Sequence, residues 1–358
     1  MRPLCLVFIF LISLSTKGQS SFTLDLEQGF LFLHSQDVAP IGQSYPSALN
    51  VSYNQWLLDS SYWQNCRCFP RVGLGAGYHF YDNPQVLGWG LPVYAFLEPW
   101  YKLSDAWYMQ IRASLGLIYL SEPYDEIQNP LNLSYSLPIS AYVSLGLGLG
   151  YQWNEHWRFG LQASYDHTSN GGVKEPNKGL NYPMLSLFAD HSLDPISFKS
   201  GKLKPFDPTK ARRRWSLHTA WAAKAGGTVG EGEQEQDVTY LVYGASLRYS
   251  HQVSKTSALF GGLDWVSNLA YQKQIQNQGL DFSHHQLSIE AGHEFLLGKF
   301  VFSQAAGVYL FKDFGAASDW YQRYLLLYYP WERLGLGPGL KAHAQVAEYL
   351  EFRIVWDL

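Results

Sequence analysis

The feature that most constrains this chain is an alternation of apolar residues that recurs from one end to the other. Every second residue is apolar in one register of residues 72–80, 107–119 and 141–153. Successive side chains of a β-strand point to opposite faces, so each segment predicts a strand with one apolar face. After residue 19 there is no apolar run long enough to cross a bilayer as a helix. The pattern therefore predicts an all-β fold.

The composition indicates that the apolar faces of these strands meet lipid. Aromatic residues make up 16% of the chain and charged residues only 16%, whereas soluble domains carry about 25% charged residues. Residues 1–19 resemble a secretory signal peptide, with Arg2 ahead of the apolar segment 4–14. Together these features favour a transmembrane antiparallel β-barrel of the bacterial outer membrane. A secreted β-sandwich is the alternative, but these strands are too long and too aromatic for it.

The number of strands leaves two architectures open. About eight candidate strands lie in residues 22–191, and six to eight more lie in 215–358. One barrel of about 14 strands is the preferred interpretation, and an 8-stranded barrel followed by a second barrel-like half is the alternative. We therefore expect a signal peptide at 1–19, barrel strands carrying the site at 20–195, and further strands at 196–358 that complete the same barrel.

One strand carries polar residues on its apolar face. His167 and Ser169 continue the register of Leu161, Ala163 and Tyr165. The turn at 154–156 is short, as periplasmic turns of such barrels are, so this strand runs outward and ends near the outer leaflet. Polar groups facing lipid cost free energy unless they are paired. A His and a Ser two apart at a strand end usually have no catalytic role, but on a lipid-facing register they are also what an ester hydrolase that acts on a lipid would need.

The residues around this pair resemble the signature of a known family, the lipid A 3-O-deacylases of the PagL type. The motif reads His167-x-Ser169-Asn170-Gly171-Gly172, followed by Pro176-Asn177-x-Gly179. The resemblance implies an outer-membrane barrel that removes the ester-linked acyl chain at the 3-position of lipid A. The second half is similar to longer relatives known as acyloxyacyl hydrolases.

The resemblance also implies roles for individual residues. Ser169 would be the nucleophile and His167 the general base, while Asn170 and the backbone of Gly171 would bind the oxyanion. The family carries a glutamate fourteen positions after the histidine, and here that position is Asn181. Asparagine can fix the tautomer of the imidazole but cannot stabilise the imidazolium with a charge.

A carboxylate from another part of the chain could instead take the role of the acidic partner of His167. Glu175 and Asp190 are nearby in the sequence, whereas Asp166 is expected to point into the barrel lumen. Alternatively, Asn181 serves a slower enzyme or a working subgroup. The departure from the family pattern also leaves open a catalytically silent barrel or porin, or a related hydrolase of phospholipid or acyloxyacyl esters.

The expected partner is lipid A, or lipopolysaccharide, in the outer leaflet. Tyr165, Lys174 and Lys178 are the candidate substrate-binding residues, the two lysines for the phosphates of lipid A. No metal or cofactor is expected, and the net charge of −4 does not indicate a nucleic-acid partner. Cys66 and Cys68 are expected to be unpaired loop thiols, since a bridge between alternate strand residues would be strained. The oligomeric state is left open.

Overall fold

The computed structural model describes residues 19–33, 36–226, 238–315, 318–343 and 346–358, and sixteen antiparallel strands account for most of them. The first eight are β1 (Gln19–Gly29), β2 (Ser47–Trp56), β3 (Phe69–Phe80), β4 (Trp89–Lys102), β5 (Trp107–Leu120), β6 (Ile139–Gln152), β7 (Trp157–Ser169) and β8 (Leu180–Ser192). The other eight are β9 (Arg213–Ala225), β10 (Thr239–Gln252), β11 (Ser257–Asn268), β12 (His285–Leu297), β13 (Phe300–Lys312), β14 (Trp320–Trp331), β15 (Leu334–His343) and β16 (Val346–Asp357).

Helices are short in the described part of the chain. They are α1 (Ser60–Cys66), α2 (Leu269–Asn277) and two 3₁₀ turns, Gln36–Ile41 and Pro208–Lys210. None of them is both long and apolar enough to span a membrane.

The strands close into two barrels of eight. β1 pairs with β8 along nine positions, Ser21–Gly29 against Met184–Ser192, and β16 pairs with β9. The preferred single barrel of about 14 strands is therefore wrong, as is the expectation that residues 196–358 complete the same barrel. The alternative, an 8-stranded barrel with a second barrel-like half, is confirmed. In each half the first and last strands pair with each other. Neither half therefore offers an unpaired strand edge through which the two could join into one barrel.

Both barrels are apolar outside and polar inside. Their exterior faces expose leucine, valine, tyrosine and tryptophan, while arginines and carboxylates are buried inside. In the first barrel, Asp190 accepts from Arg71 at 2.8 Å and from Arg158 at 2.6 Å, and Arg112 pairs with Glu98 at 2.9 Å. This arrangement is the inverse of a soluble protein, because lipid replaces the protein core as the apolar medium.

Most connections at one end of each barrel are short turns, although the connection 57–68 at that end of the first barrel is longer and contains α1. The first barrel turns at 103–106 and 153–156, and the second at 253–256 and 298–299. β7 therefore begins at a short turn with Trp157 and ends at Ser169, where a longer loop leads to β8. The candidate site lies at the long-loop end of the first barrel.

The prediction of unpaired thiols is wrong, because Cys66 and Cys68 form a disulfide. The reason is that Cys66 ends α1 and is not a strand residue. Arg67, which follows it, adopts the left-handed conformation at φ 54° and turns the chain back. The two Cα atoms then lie 5.1 Å apart, within the usual range for a bridge.

The chain divides into two compact units. The first comprises the described residues up to Glu122, together with Ala141–Thr168 and Leu180–Leu203. The second comprises Pro123–Ser140, Ser169–Gly179 and Lys204–Leu358. The loop that follows Thr168 is thus grouped with the strands of the second barrel. The signal peptide lies outside the described residues, and a boundary between 195 and 196 stays a prediction.

Candidate active site

β7 has the two faces that its alternation predicts. Arg158, Gln162 and Asp166 are buried inside the barrel, whereas Leu161 and Tyr165 are exposed on the outside. His167 follows in the outer register and is half-buried. The histidine therefore faces the exterior of the barrel, on the side that meets lipid.

His167 is paired across the sheet with Asn181. The two residues are direct partners in the antiparallel register of β7 and β8, so their side chains leave the same face. Their side chains meet at 2.6 Å between Nδ1 of His167 and Oδ1 of Asn181. The residue that stands where the family has glutamate thus occupies the position of the orienting group.

This contact fixes the tautomer of the imidazole. An amide oxygen can only accept a hydrogen bond, so Nδ1 of His167 must carry the hydrogen and donate it to Asn181. In the neutral ring the lone pair then lies on Nε2. A general base for a serine hydroxyl needs its lone pair on that nitrogen, so Asn181 holds the ring in the productive form.

Ser169 ends β7 and is held by the loop that follows. Its Oγ accepts from Nδ2 of Asn177 and from the backbone N–H of Gly171, both at 3.0 Å, and lies 3.3 Å from Oδ1 of Asn177. The side chain is 7% exposed. Two N–H donors therefore converge on the oxygen that would attack an ester carbonyl.

Asn170 organises the loop rather than pointing at Ser169. Its Nδ2 donates to Oγ of Ser136 at 3.1 Å and to the carbonyl of Lys174 at 2.7 Å. Its Oδ1 accepts from the N–H groups of Gly172 and Val173 at 3.0 and 3.2 Å. The Nδ2 group thus bonds to Ser136 and to Lys174, and Asn170 shapes the backbone of the loop that follows Ser169.

The two motif glycines adopt a backbone that other residues avoid. Gly171 has φ +69° and Gly172 has φ +77°, both in the left-handed region. A side chain would be strained there, whereas glycine is not. This turn brings the N–H of Gly171 back onto Ser169, so the glycines of the motif have a direct geometric role.

The substrate-binding candidates lie around this turn. Tyr165 is 44% exposed on the outer face of β7, two residues before His167. Lys174 and Lys178 lie in the loop, and Lys178 is exposed. The backbone N–H of Lys178 donates to the carbonyl of Leu133 at 3.0 Å. Contact of the three side chains with a substrate stays a prediction.

The other carboxylates are directed elsewhere. Asp190 is fully buried between Arg71 and Arg158 inside the barrel. Asp166 is also internal, as predicted, and accepts from the hydroxyl of Tyr142 at 3.0 Å. Glu175 caps its own loop by accepting from the N–H of Asn177 at 2.9 Å. Among these candidates Asn181 alone has a hydrogen bond to His167 in the structure.

A shallow apolar groove runs along the outside of the first barrel below this face. Its walls are side chains of β5 to β8 and of the turn before β5: Leu103, Met109, Leu147, Leu149, Leu161, Ala163 and Leu185, with Gly148 at its floor. Ala163 is four residues before His167 in the same register, roughly 13 Å along a strand. A hydrocarbon chain would meet only apolar atoms there.

Sequence reasoning assigned no role to Asn177 or Ser136. Asn177 stands in the family-like motif, and its fixed position after Ser169 was the available signal. It accepts from the N–H of Asn170 at 3.0 Å while donating to Ser169. Ser136 comes from a different loop, and its partnership with Asn170 had no signal in the sequence.

Two protein-family models match this chain. The family model described as lipid A 3-O-deacylase (PagL) matches residues 18–189. A second model, described as acyloxyacyl hydrolase, C-terminal domain, matches residues 214–358. The first model spans the first barrel with His167, Ser169 and Asn181, and the second spans the second barrel. The search of curated proteins found no match.

Three of the solved structures that match this chain do so at low sequence identity. The outer membrane enzyme PagL is 19% identical, with 49% of this chain and 99% of that chain covered and a TM-score of 0.35. The Yersinia pestis outer membrane protein Ail is 15% identical, with 49% and 100% covered and a TM-score of 0.27. Pseudomonas aeruginosa OccK8 is 8% identical, with 95% and 97% covered and a TM-score of 0.27.

Proposed function

Because this chain belongs to the lipid A 3-O-deacylase and acyloxyacyl hydrolase family, we propose that it removes the ester-linked acyl chain from the 3-position of lipid A. It is a protein of the bacterial outer membrane, where the apolar exteriors of its barrels meet lipid. The observation that carries the proposal is the 2.6 Å contact between His167 and Asn181, on a lipid-facing strand and two residues before Ser169.

The first step is attack by Ser169 on the ester carbonyl. Nε2 of His167 takes the hydroxyl proton while Oγ bonds to the carbonyl carbon. Alternate residues of a strand share a face, so the base and the nucleophile leave β7 on the same side. Asn181 keeps the hydrogen of the ring on Nδ1 throughout this transfer.

The negative charge that develops on the carbonyl oxygen needs N–H donors. Nδ2 of Asn177 and the backbone N–H of Gly171 both lie 3.0 Å from Oγ of Ser169. When Oγ bonds to the substrate carbon, the new oxyanion lies next to it and within reach of the same donors. We propose these two groups as the oxyanion site, with Asn170 holding the loop in shape.

Collapse of the tetrahedral intermediate completes the first half of the reaction. The bond between the carbonyl carbon and the sugar oxygen breaks, and the imidazolium of His167 returns its proton to that oxygen. The acyl chain is then esterified to Ser169. Water from the headgroup region repeats the sequence, with His167 again as the base, and the free fatty acid leaves.

The apolar groove supplies a path for the acyl chain. On β7 it is lined by Ala163, roughly 13 Å along the strand from His167, and by Leu161 beyond it. A chain lying there stays in an apolar medium during binding, so little desolvation opposes it. The headgroup would meet Tyr165, Lys174 and Lys178 at the level of the loop, with the lysines against its phosphates.

The test compares lipid A from cells that express the wild-type chain, the Ser169→Ala variant or neither. Mass spectrometry should show loss of one 3-O-linked acyl chain with the wild-type chain only. Unchanged lipid A in all three would contradict the proposal and support a silent barrel. Unchanged lipid A with new lysophospholipid would instead indicate a phospholipid hydrolase.

A further inference from the structure

The loop that carries the oxyanion donors is held by strands of the second barrel. Residues 169–179 belong to the same compact unit as Lys204–Leu358. Within that unit, Gly172 accepts at its carbonyl from the backbone N–H of Ala225 at 2.9 Å. The carbonyl of Val173 accepts from Oγ1 of Thr239 at 3.3 Å. The loop is therefore bonded outside its own barrel.

The two donors are presented by one strand pair. Ala225 is the last residue of β9 and Thr239 is the first of β10, and the two are direct partners in the antiparallel register. Two consecutive carbonyls of the loop thus bond to one rung of the second barrel. This rung ends a ladder of thirteen paired positions between β9 and β10, which ties it to the second barrel.

Leu350 of β16 provides a packing contact to the same loop. A Cβ placed on Gly171 would lie 2.5 Å from Cγ and Cδ1 of Leu350, so the leucine lies directly against this glycine. Leu350 is only half-buried, whereas Phe352 and Ile354, the next two residues of its outer register, are exposed. The position of Gly171, which donates to Ser169, is thus limited by a residue of the second barrel.

The N–H groups and the carbonyl groups of the loop consequently bond to different partners. Ser169 and Asn170 accept from the N–H groups of residues 171–173. Ala225 and Thr239 donate to the carbonyls of residues 172 and 173. The peptide plane between Gly172 and Val173 is bonded at both its C=O and its N–H, so it cannot rotate without losing a bond, and it lies one residue after Gly171.

We propose that Thr239, Leu350 and the end of β9 are positioning residues for the hydrolytic site. The second barrel would then hold the Gly171 N–H in the direction that the oxyanion requires. The proposal rests on the proposed function for its catalytic consequence, but not for the order of the loop. A misplacement of about 1 Å in such a group costs up to about 10²-fold in rate.

The test uses the full chain in detergent micelles with the variant pair Thr239→Val and Leu350→Ala. Matched controls are Thr219→Val, whose hydroxyl donates to the carbonyl of Ile354, and Leu310→Ala, an exposed residue of β13. We expect kcat on purified lipid A to fall about 10- to 10²-fold in the double variant, with KM unchanged. The controls should retain wild-type kcat.

Hydrogen exchange separates this proposal from the proposed function. The amides of residues 171–173 should exchange faster in the double variant than in the wild type. In the controls they should exchange at the wild-type rate. Wild-type exchange in the double variant would overturn the positioning role, as would an equal fall of kcat in the controls. If the wild type does not hydrolyse lipid A, the proposed function fails while exchange still decides whether the second barrel orders the loop.

Discussion

Nδ1 of His167 lies 2.6 Å from Oδ1 of Asn181, across one rung of β7 and β8. The pair has the geometry of a base and its orienting group, but the orienting group is neutral. Asparagine keeps the imidazole in the correct tautomer, yet it offers no charge to the imidazolium that forms when Ser169 loses its proton. In the proposed mechanism, general-base catalysis by His167 would therefore have less electrostatic help than an acidic partner would give.

Asn181→Asp should raise kcat, because aspartate has the same length and adds the missing charge. We expect a gain of at least about 10-fold, within the roughly 10⁴-fold span that separates the two residues in a serine protease triad. The measurement is kcat on purified lipid A across pH. The ionised aspartate favours the imidazolium, so the rise of kcat with pH should occur at higher pH in this variant than in the wild type.

Asn181→Leu is the matched control, since it removes the acceptor without adding charge. It should lower kcat with little change in KM, because the ring loses its preferred tautomer. A leucine variant as active as the wild type would show that the 2.6 Å contact has no catalytic role.

Ser169→Ala should abolish hydrolysis, with a loss of at least about 10³-fold in kcat. The variant removes the only atom proposed to bond with the acyl group. Ser164→Ala, on the opposite face of β7, is the control and should remain active. An acyl-enzyme trapped on the wild type and identified by mass spectrometry at Ser169 would support the same conclusion. An active alanine variant would place the nucleophile elsewhere.

We expect Asn177 to be as important for kcat as His167, although its residue type alone did not predict a catalytic role. Asn177→Ala removes the Nδ2 donor 3.0 Å from Ser169, and we expect a loss of about 10²- to 10³-fold in kcat, the usual effect of removing one oxyanion donor. Asn177→Asp keeps the acceptor for the N–H of Asn170 but sets a charge against the oxyanion. A smaller loss with aspartate than with alanine would argue that Asn177 acts only by holding the loop.

The sequence predicted the faces of the strands better than their closure. Alternation identifies which residues of β7 meet lipid, because the period of two depends only on local geometry. Whether β8 pairs with β1 or with a later strand is decided by register across residues far apart, such as Leu24 against Ala189. No local pattern encodes that choice, and for this reason one barrel and two remained open.

The candidate site likewise has a part that the sequence could predict and a part that it could not. The pairing of His167 with Asn181 could be inferred from a motif, but the partnership of Asn170 with Ser136 could not. Ser136 lies 34 residues earlier in another loop. The disulfide was missed for a related reason: the end of α1 at Cys66 depends on the left-handed Arg67, which an alternation pattern does not reveal.

Ala163→Phe should impair hydrolysis of long acyl chains. Ala163 lies in the groove on the route from His167, and a phenyl ring would fill the space that the chain needs. We expect KM to rise several-fold for long-chain lipid A, with a smaller effect for short chains. Val93→Phe, on an exposed position of β4 away from the groove, is the control and should change neither constant. Equal effects of the two substitutions would contradict an acyl path along β7.

Asp190→Asn should damage stability rather than catalysis. Asp190 is fully buried and accepts from Arg71, Arg158 and Thr23, so a neutral side chain would remove the carboxylate that pairs with Arg158 and leave Arg71 paired with Glu98. Breaking a buried pair in this way costs about 3–5 kcal/mol of the free energy of unfolding. The control is Asp105→Asn, which breaks an exposed pair with Lys102 and should leave the free energy of unfolding almost unchanged. Urea unfolding in micelles measures both, and kcat is compared under conditions where each variant is folded. A folded Asp190→Asn protein with a greatly reduced kcat would contradict a purely structural role for this carboxylate.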